Sequence, residues 1–469
     1  MLSKKMADSV GFSFIVEKLE CFSYYGKLEI RKVNAAFIDS VSLFDYCKGI
    51  SLAACFNNMH KLMELKESLV AKLQDLLLRF KNIEGIVIKL EQALLSEVEL
   101  FELKRFLMGL EKFADFLDSE KIHLDEVKIT NMIEPLNILD SSKQRIGAFS
   151  IHDENFPALK AARQEKASIE AKIEKFGMDE ELLSKRAEIV AEEDKQEQAA
   201  LKELSRKLRP FVQDFLINME HIGTFDFTLA KAELAKQSGA VLPTISAECL
   251  FLKNMWNPKT QSKLEKKGRG YSKTSIELEP GATVLIGANM GGKSLTLKTV
   301  TLSVLLANMG FCVFASEAKI PMFDDVFFIE ESIADDFLSS FGTEVTLINE
   351  AVKNLGSKKL FVAIDEPART TNPTEGAKIT KGLVSYLSKQ KSTSLISTHY
   401  GNVQKSAHAV YKTASFSYDG IENTDISNLA NFIKYELVKV DQDANIPTEA
   451  INLCKILGMN PNLLAEIET

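Results

Sequence analysis

Apolar positions through most of the first 240 residues recur at intervals of three and four. Leu62, Leu65, Leu69 and Leu73 do so within the run from Met59 to Phe80, and Leu95, Val98, Phe101 and Leu107 continue the theme. This is the period of one helical face, and glycines are sparse here, so the spacing predicts helix almost throughout. Between Phe156 and Leu208 the apolar positions thin to Ile169, Ile173 and Phe176, then Leu201, Leu204 and Leu208. Gly177 and Asp179 break that run into two helical arms joined by a turn, the pattern of a solvated coiled-coil hairpin. From about Val241 the texture changes to short apolar runs alternating with helical ones. Thr283–Ile286, Phe311–Phe314, Val326–Ile329, Leu360–Ile364 and Thr393–Ser397 read as buried strands of a largely parallel sheet, with Pro280–Gly281 as a turn before the first. The expected architecture is α/β in the second half, preceded by an all-α region, with segments 1–150, 151–240 and 241–469.

Length and charge narrow the function. A chain of 469 residues with 45% hydrophobic and 26% charged residues is ordinary globular material for about three domains. A chain that wraps nucleic acid over a large surface is usually basic, and at a net charge of −8 this one is not, so any such contact is expected to be local or weak. Between Ile151 and Pro210, 14 acidic residues face 12 basic ones, so the hairpin carries no basic stripe. Six cysteines occur without a C-x-x-C pair, and they read as reduced thiols. The apolar run near the N-terminus stops at Glu17, and no stretch reaches the length of a membrane span. The expectation is a cytoplasmic protein with no membrane partner.

The chemistry lies in the second half. Gly287-Ala-Asn289-Met290-Gly291-Gly292-Lys293-Ser294 fits G-x-x-x-x-G-K-[ST] between an expected strand and an expected helix. Glycines there let backbone N–H groups turn onto phosphate oxygens, and the helix N-terminus adds partial positive charge. Lys293 would reach the β/γ-phosphates, and the Ser294 hydroxyl would ligate Mg2+. Leu360-Phe-Val-Ala-Ile-Asp365-Glu366 is an apolar strand tipped by two carboxylates. Asp365 would hold the metal, and Glu366 would activate water as a general base. His399, at the tip of the next strand in Ser397-Thr-His399-Tyr400, can sense a γ-phosphate. Ser339-Ser340-Phe341-Gly342-Thr343-Glu344 offers a serine at a helix N-terminus, either a plain N-cap or a second anion donor.

In this order, GANMGGKS, IADDFLSSFGTE, FVAIDEPARTTNPTEG and STHYGNV resemble the ATPase domain of the MutS family, from about Leu252 onward. The fold this implies is an α/β P-loop NTPase of ABC/MutS type. A weaker likeness assigns 1–150 to a helical core and lever, and 151–240 to an abbreviated coiled-coil clamp and return lever helix. The resemblance makes Gly287 to Ser294 the phosphate loop, with Asn289 as its γ-phosphate sensor. Ser339 becomes the signature serine reaching the nucleotide of the opposite subunit, and His399 the switch histidine. Tyr271 falls where the family stacks an aromatic ring on adenine. Such sites are composite, so a dimer with itself or with a MutS-like accessory subunit is implied, with ATP and Mg2+ as cofactors.

The departures bear on the client. Ala288 replaces the family's proline, and Pro367-Ala-Arg369-Thr-Thr371 replaces a segment with two glycines. No mismatch-reading domain or Phe-x-Glu wedge is recognisable. The acidic charge and the lost reader lean the residues toward a protein client. Stand-alone chains with DEPAR-type segments resemble the ATPase that reactivates lysine 5,6-aminomutase by exchanging damaged adenosylcobalamin. The alternative is a DNA-binding MutS-like protein of mismatch repair or recombination, acting on duplex or branched DNA.

Overall fold

The computed structural model describes residues 3–36, 51–151, 155–177, 179–287, 292–330, 340–416, 433–444, 451, 454–455 and 458–468. The chain divides into two compact units. One combines Met1–Leu19, Ile30–Met63 and Ala230–Thr469, and the other combines Glu20–Glu29 and Glu64–Leu229.

The second of these units is helical. Its Glu97–Ser119 helix begins with a capping box. The Ser96 hydroxyl accepts the Glu99 N–H at 3.3 Å, and the Glu99 carboxylate accepts the Ser96 N–H at 2.7 Å. The buried stripe is Leu100, Leu103, Leu107, Leu110 and Leu117, whereas Val98 is 70% exposed. The periodic reading through Leu95, Val98 and Phe101 was therefore out of phase, because Leu95 lies before the cap and belongs to no helix. The run from Met59 to Phe80 is also two helices, Leu52–Met63, which belongs to the first unit, and Glu67–Leu77, which belongs to this one. Lys66 between them is extended, with φ −69° and ψ 146°, so leucine spacing alone bridged a real break.

The hairpin forms as its sequence predicts, from helices Pro157–Phe176 and Glu180–Leu208. Arg163 pairs with Glu197 at 2.7 Å, Lys166 with Glu193 at 2.6 Å and Arg186 with Glu170 at 2.8 Å. Numbers rise along one arm as they fall along the other, so the arms run antiparallel. Ile169 and Ile189 are buried between them. The Arg186–Glu170 pair is exposed and contributes little, whereas Glu193 is buried between the arms beside the thin apolar seam that carries the packing.

Among the described residues, the other unit holds ten strands in two sheets. β1 (Thr244–Ser246), β2 (Leu250–Met255), β3 (Thr274–Leu278) and β5 (Glu317–Pro321) form a mixed sheet in the order β1-β5-β2-β3. β4 (Gly281–Ile286), β6 (Asp325–Ile329), β7 (Leu360–Asp365), β8 (Thr393–Ser397), β9 (Ala409–Phe416) and β10 (Ile433–Val440) form the second, in the order β10-β9-β4-β8-β7-β6. All its pairings are parallel except β10 with β9. Four of the five expected strands are thus in place. Phe311–Phe314 is buried but not a strand; Val313 makes only an isolated bridge to Val241, and the strand is β5. The mixed sheet escaped the sequence reading because its strands expose one face and alternate, as β5 does over Glu317 to Ile320.

The Lys293–Asn308 helix packs on β6, β7 and β8. Leu297, Val300, Leu302, Val304, Leu305 and Leu306 are all essentially buried, so the helix is covered on every side. Helix Lys4–Val10 supplies part of that cover, and Phe12 meets Phe311 edge-on at 5.8 Å. The first 19 residues therefore belong to the same compact unit as this helix, whereas the sequence segments grouped them with 1–150. No helix among the described residues is long and apolar enough to cross a membrane.

Candidate nucleotide site

The site gathers where β4, β7 and β8 end. Parallel register sets Asp365 of β7 beside Ser397 of β8, and Ser397 beside Leu285 of β4. The Ser397 hydroxyl donates to Asp365 Oδ1 at 2.5 Å and accepts the Glu366 N–H at 2.9 Å. One serine thus orients both members of the acid pair. Just past the strand the backbone turns sharply, with Glu366 at φ 50° and Ala368 at φ 58°, the left-handed region that side chains rarely adopt. The turn is held by Glu344, whose carboxylate accepts the Ala368 N–H at 2.7 Å, and by Tyr400, whose hydroxyl donates to the Ala368 carbonyl at 2.9 Å.

Lys293 is 4% exposed, and its Nζ donates to the Gly287 carbonyl at 2.9 Å. Burial lowers the lysine's proton affinity, and the carboxylates of Glu366 and Asp365 oppose that shift. Lys293 Nζ stands 3.6 Å from Glu366 Oε1, while Arg369 Nη1 and His399 Nδ1 approach Glu366 Oε2 at 3.7 and 3.8 Å. Glu366 is therefore the carboxylate on which Lys293, Arg369 and His399 converge. Ser294 is exposed in the first helical turn. Gly287 has φ +149°, and a Cβ there would meet the Thr413 carbonyl at 2.9 Å, so the loop starts where only glycine fits. Gly292, at φ +86°, is the N-cap of the Lys293–Asn308 helix. Asn289, Met290, Gly291 and Ser339 lie outside the described residues.

Beside Gly292 opens a cavity of about 440 Å3, whose walls include Tyr271, Tyr435, Arg269, Thr296 and Thr299. The Tyr271 hydroxyl accepts the Asn257 N–H at 2.9 Å, which fixes the ring; burial pushes both the Tyr271 and Tyr435 phenols up. Sequence reasoning had placed Tyr271 near the nucleotide but missed Tyr435, Arg369, Glu344 and the orienting role of Ser397. Strand register alone reveals Ser397. Tyr435 had a faint signal in the alternating run IKYELVKV of β10.

Oxygen chemistry at the strand tips fits magnesium. Asp365 Oδ1 is engaged by Ser397, and a carboxylate with a hydroxyl from Ser294 is the hard donor set that magnesium takes beside phosphates. Among the described residues no group of three or more His, Cys, Asp or Glu forms an all-protein metal cage. Such a cage is not needed where phosphate oxygens and retained waters supply most of the ligands.

Residues 283–455 match the family model for MutS domain V. Endonuclease MutS2 of Leuconostoc mesenteroides is 32% identical over 224 residues, covering 47% of this chain and 27% of that protein. Endonuclease MutS2 of Ligilactobacillus salivarius is 33% identical over 204 residues, 43% of this chain and 25% of that protein. That of Clostridium novyi is 31% identical over 228 residues, 48% and 27% respectively. These matches span about a quarter of the relatives' own length. The family match begins in β4 and takes in Lys293, the acid pair at the tip of β7 and His399 after β8, and it is over this stretch that the chain is similar to the MutS family.

Proposed function

We propose that this chain binds ATP at the end of β4 and hydrolyses it, using the closure of its ATPase domains to change the conformation of a bound macromolecule. The observation that carries this is the approach of buried Lys293 to Glu366 at 3.6 Å, beside an Asp365 already oriented by Ser397. Lys293 and the helix N-terminus would hold the β- and γ-phosphates, and Asp365 with Ser294 would hold Mg2+. When bound, the metal supplies neutralisation of phosphate charge. Glu366 takes the proton of the attacking water, and His399 stands beside it to sense the γ-phosphate. Tyr271 would stack on the base. Asn289 and Ser339 keep their proposed parts as phosphate sensor and as the serine offered to a dimer partner's nucleotide.

For the client we favour DNA. The acidic net charge leaned toward a protein, but the relatives carry the name endonuclease, which points to nucleic acid. The comparisons lend aminomutase reactivation no support.

The test is ATP turnover by the purified chain, with Lys293→Ala and Glu366→Gln alongside, with and without duplex and branched DNA. Turnover absent from Glu366→Gln and stimulated by DNA supports the whole reading. Turnover equal in Glu366→Gln removes the catalytic assignment. Turnover indifferent to DNA returns the client to a protein.

A further inference from the structure

The segment between β2 and β3 contradicts the chain's overall charge. Residues 258–273 read PKTQSKLEKKGRGYSK, with six Lys or Arg against one Glu, in a chain of net charge −8. Lys259 is occupied, its Nζ donating to the Asp8 carbonyl at 2.5 Å. Lys263, Lys266, Lys267, Arg269 and Lys273 are exposed. The lone acid, Glu265, is engaged by Gln261 Nε2 at 2.8 Å. Among the described residues, Lys263, Lys266 and Lys267 have no carboxylate within ion-pair distance, in contrast to hairpin cations such as Lys166 at 2.6 Å from Glu193.

Placement adds a second observation. Lys263, Lys266 and Lys267 are three and four residues apart along the Pro258–Glu265 helix and the turn that ends it, so they share one side. The chain then turns through Gly268, at φ +68°, with open space around Gly268 and Gly270. It returns past Arg269 and Tyr271, which line the 440 Å3 cavity beside Gly292. Thr260 and Leu264 of that helix line the same cavity, so the uncompensated lysines Lys263, Lys266 and Lys267 lie on the segment that borders the cavity assigned to the nucleotide.

We propose that this lysine-rich rim is a nucleic-acid contact of the ATPase unit, gripping the phosphate backbone at the mouth of the nucleotide cavity. The proposal rests on the DNA reading above and names the surface that reading lacks. Nucleic acid presents about one negative charge per 1.7 Å of duplex axis, so a local surplus of cations binds it even on an acidic chain. Lysines contact phosphate without reading sequence, and the contact is sequence-independent. Its position lets backbone occupancy bear directly on the loop that carries Arg269 and Tyr271.

The test is the binding of a fluorescein-labelled duplex across a KCl series. The proteins compared are wild type, Lys263→Gln/Lys266→Gln/Lys267→Gln, and a hairpin control, Lys172→Gln/Lys175→Gln/Lys185→Gln. Each lost phosphate contact removes about 0.9 from the slope of log affinity against log salt, so the rim variant should lose roughly two to three units of slope. The control should keep the wild-type slope. DNA-independent turnover of the rim variant should stay within about twofold of wild type, since these three side chains line no part of the cavity. A rim variant with wild-type affinity and slope overturns the proposal while leaving the DNA reading intact, as does a loss confined to the hairpin variant. A wild-type protein that binds no duplex at any salt overturns the DNA reading, and this proposal with it.

Discussion

Glu344 and Ala368 are joined by one hydrogen bond, the Ala368 N–H donating to the Glu344 carboxylate at 2.7 Å. Ala368 is 1% exposed and sits at φ 58°, two residues past the candidate general base. The bond ties helix Ser340–Asn354 to the strained turn that aims Glu366. Replacing Glu344 with Ala leaves a buried N–H without its partner, which costs about 1–3 kcal/mol. The expected outcome for Glu344→Ala is a turnover number down about tenfold or more with nucleotide affinity nearly unchanged, and restoration by Glu344→Gln. Turnover kinetics beside equilibrium binding of a fluorescent ATP analogue check this. An affinity loss matching the loss of turnover would place Glu344 in binding instead.

Ser397 makes a second prediction. Its hydroxyl bonds both Asp365 and the Glu366 N–H, so Ser397→Ala removes two constraints from the acid pair at once. Turnover should fall roughly 10- to 100-fold, and the magnesium concentration for half-maximal rate should rise, as for loss of an outer-shell partner of a metal ligand. Ser397→Thr keeps the hydroxyl and should recover part of the rate. An unchanged magnesium requirement would mean that Ser397 serves only the backbone turn.

These two residues mark how far the sequence could be read. Lys293, Asp365, Glu366 and His399 announce themselves through local motifs, because phosphate chemistry demands fixed types at fixed spacing beside a strand. The structure brings Lys293 and His399 to the carboxylate of Glu366. Ser397 and Glu344 are invisible locally, since their roles depend on which strand pairs with which and where a helix lands. The same cause explains the helical half. The capping box at Ser96 and the break at Lys66 decide which leucines face inward, and spacing alone carried Val98 to the wrong face. That the first 19 residues join the unit of the Lys293–Asn308 helix was likewise hidden, because nothing in their pattern names the helix they cover.

The helical unit carries a pH prediction. Asp226 is fully buried and accepts the N–H groups of Phe22 and Ser23 together with the Ser23 hydroxyl. Burial raises its pKa above the usual 3.8, against the opposing pull of those donors. A raised carboxyl favours the protonated form in the folded state, so its stabilisation is greatest below the unfolded value and is lost as pH climbs through the folded one. Urea unfolding of wild type against Asp226→Asn should therefore show the difference moving in favour of wild type as pH falls from about 7 to about 4. A flat difference would mean that the donors outweigh burial. Gly26→Ala should destabilise at every pH, because a Cβ there collides with the Asp226 carboxylate.

Tyr271 gives the prediction that separates the base-binding wall from the phosphate machinery. Its hydroxyl is taken up by the Asn257 N–H, so the ring is held in place and its face is what the cavity offers. Stacking an aromatic ring on a base is worth about 1–3 kcal/mol by alanine substitution. Tyr271→Ala should therefore raise the KM for ATP roughly 5- to 100-fold while leaving kcat within about threefold, the pattern of lost uniform binding. Tyr271→Phe keeps the ring and should leave KM nearly unchanged, at a cost of about 1 kcal/mol in folding stability from the lost acceptor. Inorganic triphosphate lacks the base, so its inhibition constant should be the same in Tyr271→Ala as in wild type. If the triphosphate constant rises together with the KM, Tyr271 acts on the phosphate loop beside Gly292, and the cavity it lines is not where the base sits.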